Sequence, residues 1–297
     1  MRLTRFRVPE VAGVAVAVLR DDVLFEVAES WVDALRQSVG LSPGGLTETG
    51  RSRPVADCEL LAPLPDDGRG VICTGMNYLQ HDAEARGLLQ TAPSDYPVFF
   101  LKLGASMADP FADLPLDPSI SAEFDWEIEL GVVIGKAGRH IHRDEVSDYV
   151  AGYTIVNDIT ARDLQRQHVQ WFIGKNVSAS SPIGPWVTTL DEIGFPPDIQ
   201  LSLTVNGIEK QSAKTTDMLF DVPTLISTAS RTVALRPGDV FATGTPAGVG
   251  FARHPAEFLR PGDVVEAQIE GVGSIRSTVI AGNDGSGPGR AGRPEWP

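Results

Sequence analysis

The stretch from Asp125 to Gly135 limits the fold of this chain most, because it places two carboxylates in an otherwise apolar run. Glu127 and Glu129 alternate with the apolar residues Trp126, Ile128 and Leu130. Such alternation is typical of a β-strand, in which side chains two residues apart point to the same face. The sequence therefore predicts a strand over Trp126–Ile134 with two acidic side chains next to each other.

Two adjacent carboxylates need compensation if the strand is buried. Like charges repel, and the burial of even one unpaired carboxylate costs several kcal/mol. A divalent cation would remove both penalties. Hard cations such as Mg²⁺ take oxygen ligands, and a third carboxylate such as Asp158 would leave positions open for water or substrate. The alternative is an edge strand with a solvated acidic face, and the pattern alone leaves both interpretations open.

Composition restricts the possible classes of protein. With 297 residues, 42% of them hydrophobic, the chain can bury a sizeable core in one or two domains. A net charge of −14 disfavours nucleic acid and anionic membranes as partners, and no apolar run is long enough to span a bilayer. Cys58 and Cys73 lie among apolar residues, which is typical of buried, reduced cysteines in a cytoplasmic protein.

The basic start of the chain precedes an apolar run, Val11–Leu19, as in a signal peptide. Pro9 and Glu10 interrupt the approach to this run, and no small-residue cleavage site follows it. We therefore predict that the run is a strand of the folded protein.

The N-terminal residues 1–65 are predicted to form a small α+β domain. A second strand over 23–27 leads into a segment, 27–39, with apolar residues at helical spacing, and the Gly- and Pro-rich residues 40–54 are predicted to be a loop. The tail, 282–297, has no apolar pattern and is predicted to be disordered.

Residues 66–281 are predicted to form a catalytic domain that is mainly β, with helices at its margin. Short apolar runs broken by Gly and Pro favour a mainly antiparallel body over βαβ repeats. The predicted strands are Val71–Thr74, Val98–Lys102, Trp126–Ile134, Ala151–Asn157, Trp186–Thr189, Ile199–Val205, Asp239–Thr243 and Val264–Ile269. The predicted helices are Ala161–Gln170 and Val222–Ser230.

Several short motifs occur in the order found in one enzyme family. They are Gly75–Glu84, Pro97–Lys102, Asp125–Lys136, Gly152–Gln165, Gly174-Lys175, Pro182–Trp186, Thr216–Met218 and Gly244–Gly250. Together they span about residues 70 to 280, and the chain resembles the shorter bacterial branch of the fumarylacetoacetate hydrolase family, which includes acylpyruvases and 2-hydroxyhepta-2,4-diene-1,7-dioate isomerases.

The resemblance implies a mixed β-sandwich roll preceded by a small N-terminal domain, usually in a homodimer. It also implies Mg²⁺ or Mn²⁺ held by the carboxylates at Glu127, Glu129 and Asp158. An all-carboxylate site suits such a hard cation, because it needs no thiolate or imidazole ligand.

His81 and Glu84 are three residues apart, the spacing that puts two side chains on one face of a helical turn. A carboxylate beside an imidazole raises its basicity, so His81 could activate a water. The resemblance implies this catalytic role for the pair. The alternative is an exposed helical pair that contributes only a fraction of a kcal/mol.

Lys175 is predicted to be catalytic, because a lysine beside the metal could stabilise an enolate or oxyanion. The alternative is a surface lysine. Many relatives have an aromatic residue and an aspartate two and three places after this lysine, whereas this chain has Val177 and Ser178. That departure puts the substrate specificity in doubt.

Four further residues are predicted to face the substrate. Arg162 could clamp a carboxylate, although it could equally pair with Asp163, and the resemblance places Gln165 beside it. The other two are Lys102, whose charge would pair with the metal carboxylates, and Thr245, which lies in a glycine-rich turn.

The predicted function is metal-dependent hydrolysis of a carbon–carbon bond in an acylpyruvate-like 2-oxo acid, through a stabilised enolate. The same enolate chemistry without attack by water would give an isomerase or decarboxylase. A second alternative is a catalytically silent, metal-stabilised dimeric binding protein.

Overall fold

The computed structural model describes residues 1–9, 11–65, 68–81, 84 and 95–282. The tail that is predicted to be disordered lies, beyond Gly282, outside the described residues. The strands are β1 Arg2–Arg7, β2 Ala15–Arg20, β3 Val23–Val27, β4 Glu48–Pro54, β5 Glu59–Leu61, β6 Val71–Gly75, β7 Val98–Lys102, β8 Met107–Ala108, β9 Leu114–Leu116, β10 Phe124–Asp125, β11 Ile128–Ile134, β12 Val150–Asn157, β13 Thr160–Ala161, β14 Ser181–Thr189, β15 Gln200–Val205, β16 Ile208–Lys214, β17 Val240–Ala242, β18 Val264–Ile269 and β19 Gly273–Ala281. The helices are α1 Trp31–Gln37, α2 Arg162–Gln167, α3 Phe172–Lys175, α4 Leu190–Ile193 and α5 Val222–Ser230.

The predicted fold class, mainly β with mixed sheets, is confirmed. Within the described residues the large sheet has the order β4-β3-β2-β1-β14-β12-β11-β17-β6-β7, with β5 beside β1 and β8 beside β14. A five-stranded sheet has the order β16-β15-β18-β19-β9, and β10 pairs with β13. Most neighbours are antiparallel, whereas β6 and β17, β8 and β14, and β9 and β19 are parallel.

The main core lies where the five-stranded sheet packs against β11, β12 and β14 of the large sheet. Ile128, Leu130 and Val132 of β11 belong to this core, whereas Val133 belongs to a second core on the other face of the sheet. Because β11 is buried on both faces, its sequence after Glu129 is a continuous apolar run, from Leu130 to Ile134, rather than a strict alternation. Each large side chain buried in this way stabilises the fold by about 1.5–3 kcal/mol.

The N-terminal strands extend the large sheet, because β1 pairs with β14 through Arg2 opposite Thr188 and Leu3 opposite Val187. The second core accordingly includes Leu3 and Trp31 from the N-terminal residues beside Val133. The domain boundary at residue 65 stays a prediction.

Three N-terminal predictions were wrong in detail. The predicted loop 40–54 contains β4, an exposed edge strand without large apolar residues, so its sequence carries no hydrophobic pattern. The basic start forms β1, and the next strand begins at Ala15 rather than at Val11. The first helix begins at Trp31, where the side chain of Ser30 caps it by accepting a hydrogen bond from the backbone N–H of Asp33.

The helix over Val222–Ser230 was predicted with its observed bounds, whereas the helix after Asp158 spans only Arg162–Gln167. No helix in the described part of the chain combines the length and hydrophobicity needed to cross a membrane.

Candidate metal centre and active site

Two antiparallel strands bring the three predicted metal carboxylates together. Glu129 lies on β11, Glu127 directly precedes this strand, and Asp158 directly follows β12. Residue Ile128 is paired with Asn157, so the start of one strand lies beside the end of the other. One carboxylate oxygen from each of the three acids lies within 4.8 Å of the others.

Glu127 stands outside regular strand structure, because the observed strand begins at Ile128, two residues later than the predicted Trp126–Ile134. Its backbone N–H donates to Oδ1 of Asn157 at 3.0 Å, and its carbonyl accepts from the N–H of Asp158 at 2.8 Å. These bonds hold the two acids together although the side-chain alternation is interrupted.

The alternative of a solvated acidic edge strand is wrong. Strand β11 lies inside the sheet, between β12 and β17. Glu127, Glu129 and Asp158 are 3%, 1% and 0% exposed, respectively. Such burial requires compensating charge.

Three buried cations supply that charge. Nζ of Lys175 lies 2.6 Å from Oε2 of Glu127 and 2.8 Å from Oδ2 of Asp158. Nζ of Lys102 lies 2.7 Å from Oδ1 of Asp158, and Nη2 of Arg162 lies 2.6 Å from Oε1 of Glu127. Glu129 has a weaker partner, the backbone N–H of Gly244 at 2.7 Å from its Oε2.

This unequal compensation separates the pKa values of the two glutamates. Burial would raise the pKa of Glu127, but the positive charges of Lys175 and Arg162 outweigh burial and lower it to about 2. Burial, with the negative charges of Asp158 and Glu127, raises the pKa of Glu129 well above its usual range. A cation that binds to all three acids must therefore displace a proton from Glu129.

The residues fit a hard divalent cation. The donor set contains only carboxylate oxygens, which Mg²⁺ and Mn²⁺ accept. Oδ1 of Asp158 is buried and has no hydrogen-bond partner among the described residues, although it lies within ion-pair distance of Lys102. The buried Glu–Glu–Asp group can therefore bind a divalent metal.

His81 and Glu84 lie at the same site. Nδ1 of His81 lies 3.2 Å from Oε1 of Glu84, and this oxygen also accepts from the backbone N–H of Gly248 at 3.0 Å. His81 is only 4% exposed, so the alternative of an exposed helical pair does not describe it. The backbone of the Gly244–Gly250 turn thus holds the carboxylate that orients His81.

Arg162 has a different partner from the predicted Asp163. Its Nε donates to Oδ2 of Asp125 at 2.8 Å and its Nη1 donates to Oε1 of Gln165 at 3.0 Å. Oδ1 of Asp163 instead accepts from Ser121 and from a backbone N–H. The Arg162–Gln165 pair is buried beside the carboxylates, which leaves its contact with substrate a prediction.

The ammonium group of Lys102 and the hydroxyl group of Thr245 both bind other groups of the protein. Nζ of Lys102 faces Asp158 and the carbonyl oxygens of Ile159 and Lys175, so the predicted pairing with a metal carboxylate is observed. The hydroxyl of Thr245 donates to the carbonyl of Ile128 at 2.9 Å and accepts from Nε2 of Gln211 at 2.8 Å.

A small cavity of about 20 Å³ lies among most of these groups. Its lining residues are Thr74, Gly75, Met76, His81, Phe100, Glu127, Glu129, Arg162, Gln165, Trp171, Lys175 and Thr245.

Sequence reasoning assigned no role to several residues at this site, among them Asp125, Gln211, Phe100 and Trp171. Asp125 lies within the acidic stretch, and Gln211 lies on β16, outside every motif. Phe100 and Trp171 line the cavity, and each stands within two to four residues of a lysine that was singled out. Local signals existed for two of them, since Asp125 stands two residues before Glu127 and Phe100 lies inside the motif Pro97–Lys102.

Comparison with known proteins shows to which family this chain belongs. Residues 70–280 match the C-terminal domain of fumarylacetoacetate hydrolase, and the chain belongs to the fumarylacetoacetate hydrolase family.

Similar proteins include several isomerases. Oxaloacetate tautomerase YisK of Bacillus subtilis (strain 168) is 38% identical over 225 residues, which cover 76% of this chain and 74% of the relative. The mitochondrial oxaloacetate tautomerase FAHD2A of Homo sapiens is 34% identical, covering 94% of this chain and 92% of the relative. The crystal structure of 2-hydroxyhepta-2,4-diene-1,7-dioate isomerase from Mycobacterium marinum is similar with a TM-score of 0.78 and 33% identity, over 95% of this chain and 98% of that one. The chain is thus similar to tautomerases and isomerases, which fits the isomerase alternative, whereas the hydrolase prediction is not confirmed.

Proposed function

We propose that this protein is a divalent-metal-dependent isomerase that interconverts the keto and enol forms of a 2-oxo acid, with oxaloacetate as the first substrate to test. The observation that carries the proposal is the position of Lys175. Its ammonium group lines the cavity and contacts two of the three candidate metal ligands. An enolate oxygen in the cavity would meet a buried, fixed positive charge.

Lys175 is charged at neutral pH in the metal-free protein. Burial would lower the pKa of an isolated lysine, but Asp158 and Glu127 raise the pKa of Lys175 above its usual range. Mg²⁺ or Mn²⁺ held by Glu127, Glu129 and Asp158 would supply further Lewis-acid stabilisation of the enolate.

His81 is the proposed proton carrier. Tautomerisation breaks a C–H bond next to the keto group and forms an O–H bond, so one group must take up the proton and return it. His81 lines the cavity, and Glu84 orients its ring through Nδ1. The proton leaves the substrate carbon, is held by the imidazole and returns to the substrate oxygen, so no water is consumed.

Hydrolysis is the second candidate, and the same His81–Glu84 pair supports it because a carboxylate-oriented imidazole can also activate water. Decarboxylation would need the enolate stabilisation alone. A protein that binds metal and oxo acid without turnover is the remaining alternative. The proposal also includes a homodimer, as the resemblance implies, and sedimentation velocity would measure it.

One experiment separates these candidates. Oxaloacetate, acetylpyruvate and a hydroxy-dienedioate are each incubated with the protein and Mn²⁺, while ultraviolet absorbance follows the enol. In parallel samples in ¹⁸O-labelled water, label in the new carboxylate of a cleavage product reports hydrolysis, and CO₂ released above a protein-free Mn²⁺ control reports decarboxylation. We expect faster enol–keto exchange of oxaloacetate without cleavage products or extra CO₂, and loss of this acceleration in Glu127→Ala. A cleavage product with a labelled carboxylate would establish the hydrolase instead, and the absence of any turnover would overturn an enzymatic role on these substrates.

A further inference from the structure

Part of the cavity wall is apolar and has no role in the chemistry proposed above. Trp171, Phe100 and Met76 line the cavity beside the charged groups. Trp171 directly precedes α3, and its carbonyl accepts from the N–H of Lys175 at 3.0 Å. The indole is therefore attached, one turn away, to the short helix that carries the proposed enolate-stabilising lysine.

The indole ring is held on two sides. A Cβ atom added to Gly75 would clash with the ring, reaching 2.8 Å from its Cη2, so this ring position requires glycine at the end of β6. On another side, Phe100 meets the ring edge to face, with centroids 5.5 Å apart and an interplanar angle of 74°. Such an aromatic pair contributes about 0.5–1.5 kcal/mol beyond the burial of its surface. Trp171 is thus a fixed wall of the cavity.

The charged groups leave little freedom in how a substrate can be placed. An oxo acid with its enolate oxygen at Lys175 must extend its other end along the remaining walls, which include Trp171. The cavity, about 20 Å³, is far smaller than ligand sites of roughly 300–1,000 Å³, so a substrate must displace part of its wall on entry. A four-carbon chain needs far less room than a seven-carbon diene.

We propose that Trp171, seated on Gly75, is a specificity-determining residue that favours short 2-oxo diacids, such as a four-carbon one, over longer ones. This inference rests on the proposed function and deepens it. A longer acyl or diene chain would have to displace the indole from both Gly75 and Phe100.

The test compares Trp171→Ala and Trp171→Phe with the wild type on oxaloacetate and on a seven-carbon hydroxy-dienedioate, with Mn²⁺. We expect kcat/KM for the long substrate, relative to the short one, to rise about 10- to 200-fold in Trp171→Ala, which is the range for pocket contacts worth one to a few methylenes. The same ratio for Trp171→Phe should lie between those of Trp171→Ala and the wild type. Trp186→Phe, on β14 and outside the lining of this cavity, is the matched control and should leave the ratio unchanged.

A binding measurement keeps the inference testable if no turnover occurs. Calorimetry with Mn²⁺ present would compare a four-carbon and a seven-carbon 2-oxo diacid as ligands. Tighter binding of the long ligand by Trp171→Ala than by the wild type supports the inference, whichever reaction the site performs. An unchanged preference in a variant with wild-type circular dichroism and Mn²⁺ affinity overturns it. Failure of wild-type oxaloacetate turnover alone overturns the proposed function and not this role of Trp171.

Discussion

Arg162 binds Asp125 and Glu127 at once, with Nε 2.8 Å from Oδ2 of Asp125 and Nη2 2.6 Å from Oε1 of Glu127. Asp125 also accepts the backbone N–H groups of Gly250 and Phe251 at 2.7 and 3.0 Å. Because the turn containing Gly250 also holds Glu84, one buried arginine connects the His81–Glu84 pair to a metal carboxylate. We infer that this chain of contacts couples the two halves of the site.

We expect Asp125→Asn to weaken this coupling. An amide in place of the carboxylate presents N–H groups to at least one partner that is itself a donor, so a buried hydrogen bond is lost. Loss of such support for a metal ligand typically lowers metal affinity 10- to 100-fold. Isothermal titration with Mn²⁺ measures the effect, and Asp163→Asn, whose carboxylate binds Ser121 instead, is the control. Wild-type affinity in Asp125→Asn would contradict the coupling.

The raised pKa of Glu129 predicts that metal binding releases a proton and tightens as pH rises. The carboxyl retains its proton in the metal-free protein above the usual titration range of glutamate. A cation that needs the carboxylate must expel that proton, so affinity rises until the pH exceeds the raised pKa. Calorimetry in two buffers of different ionisation enthalpy counts the protons released. Glu129→Gln should release fewer protons when the metal binds. An equal number of released protons in the variant and the wild type would refute the assignment of the released proton to Glu129.

The same shift has a consequence for stability in the metal-free state. Because the folded protein holds this proton more tightly than the unfolded chain does, the contribution of Glu129 to stability falls as pH rises from the usual pKa of glutamate towards the raised value. We therefore expect urea denaturation to show Glu129→Gln gaining stability relative to wild type as pH rises through this interval. A constant difference across the interval would argue against a raised pKa.

Removing the charge of Lys175 should damage catalysis more than folding of the metal-loaded protein. Lys175→Met leaves Glu127 and Asp158 without their shared cation, and an enolate in the cavity loses a fixed positive charge. Removal of one preorganised donor from an active site typically lowers kcat about 10²- to 10³-fold, and we expect a decrease in this range for Lys175→Met. Lys210→Met, which removes a lysine paired with Glu257 away from the cavity, is the matched control. Equal kinetics in both variants would exclude Lys175 from the mechanism.

Asp221 caps α5, because its Oδ1 accepts from the backbone N–H of Thr224 at 3.0 Å. We expect Asp221→Ala to lower the free energy of unfolding by about 1 kcal/mol, the usual effect of losing a helix cap. Asp221→Asn should lose less, since its side-chain oxygen can still accept. Urea denaturation with constant m-values measures both, while kcat should be unchanged because α5 contributes no residue to the lining of the cavity.

Local patterns predicted those elements whose signals are contained in a few consecutive residues. The helix over Val222–Ser230 was predicted with its bounds, and the structure shows Asp221 at its N-cap and proline in its first turn. Strand β4 was missed because its residues are all exposed and its extended form depends on pairing with β3. The clustering of Glu127, Glu129 and Asp158 was predicted, since two of these acids share one short stretch and the third matches a family motif.

By itself, then, the sequence determined the acidic residues, the mainly β class and the family, because alternation and short motifs depend only on neighbours along the chain. The tertiary structure alone decided which cation binds which carboxylate. Arg162 pairs with Asp125 rather than with the adjacent Asp163, and Trp171 rests on Gly75, almost a hundred residues earlier in the chain. Electrostatic and packing energies fall off with distance in space and not with separation in sequence. Such partners are therefore settled only when the strands have been paired and the sheets have been packed.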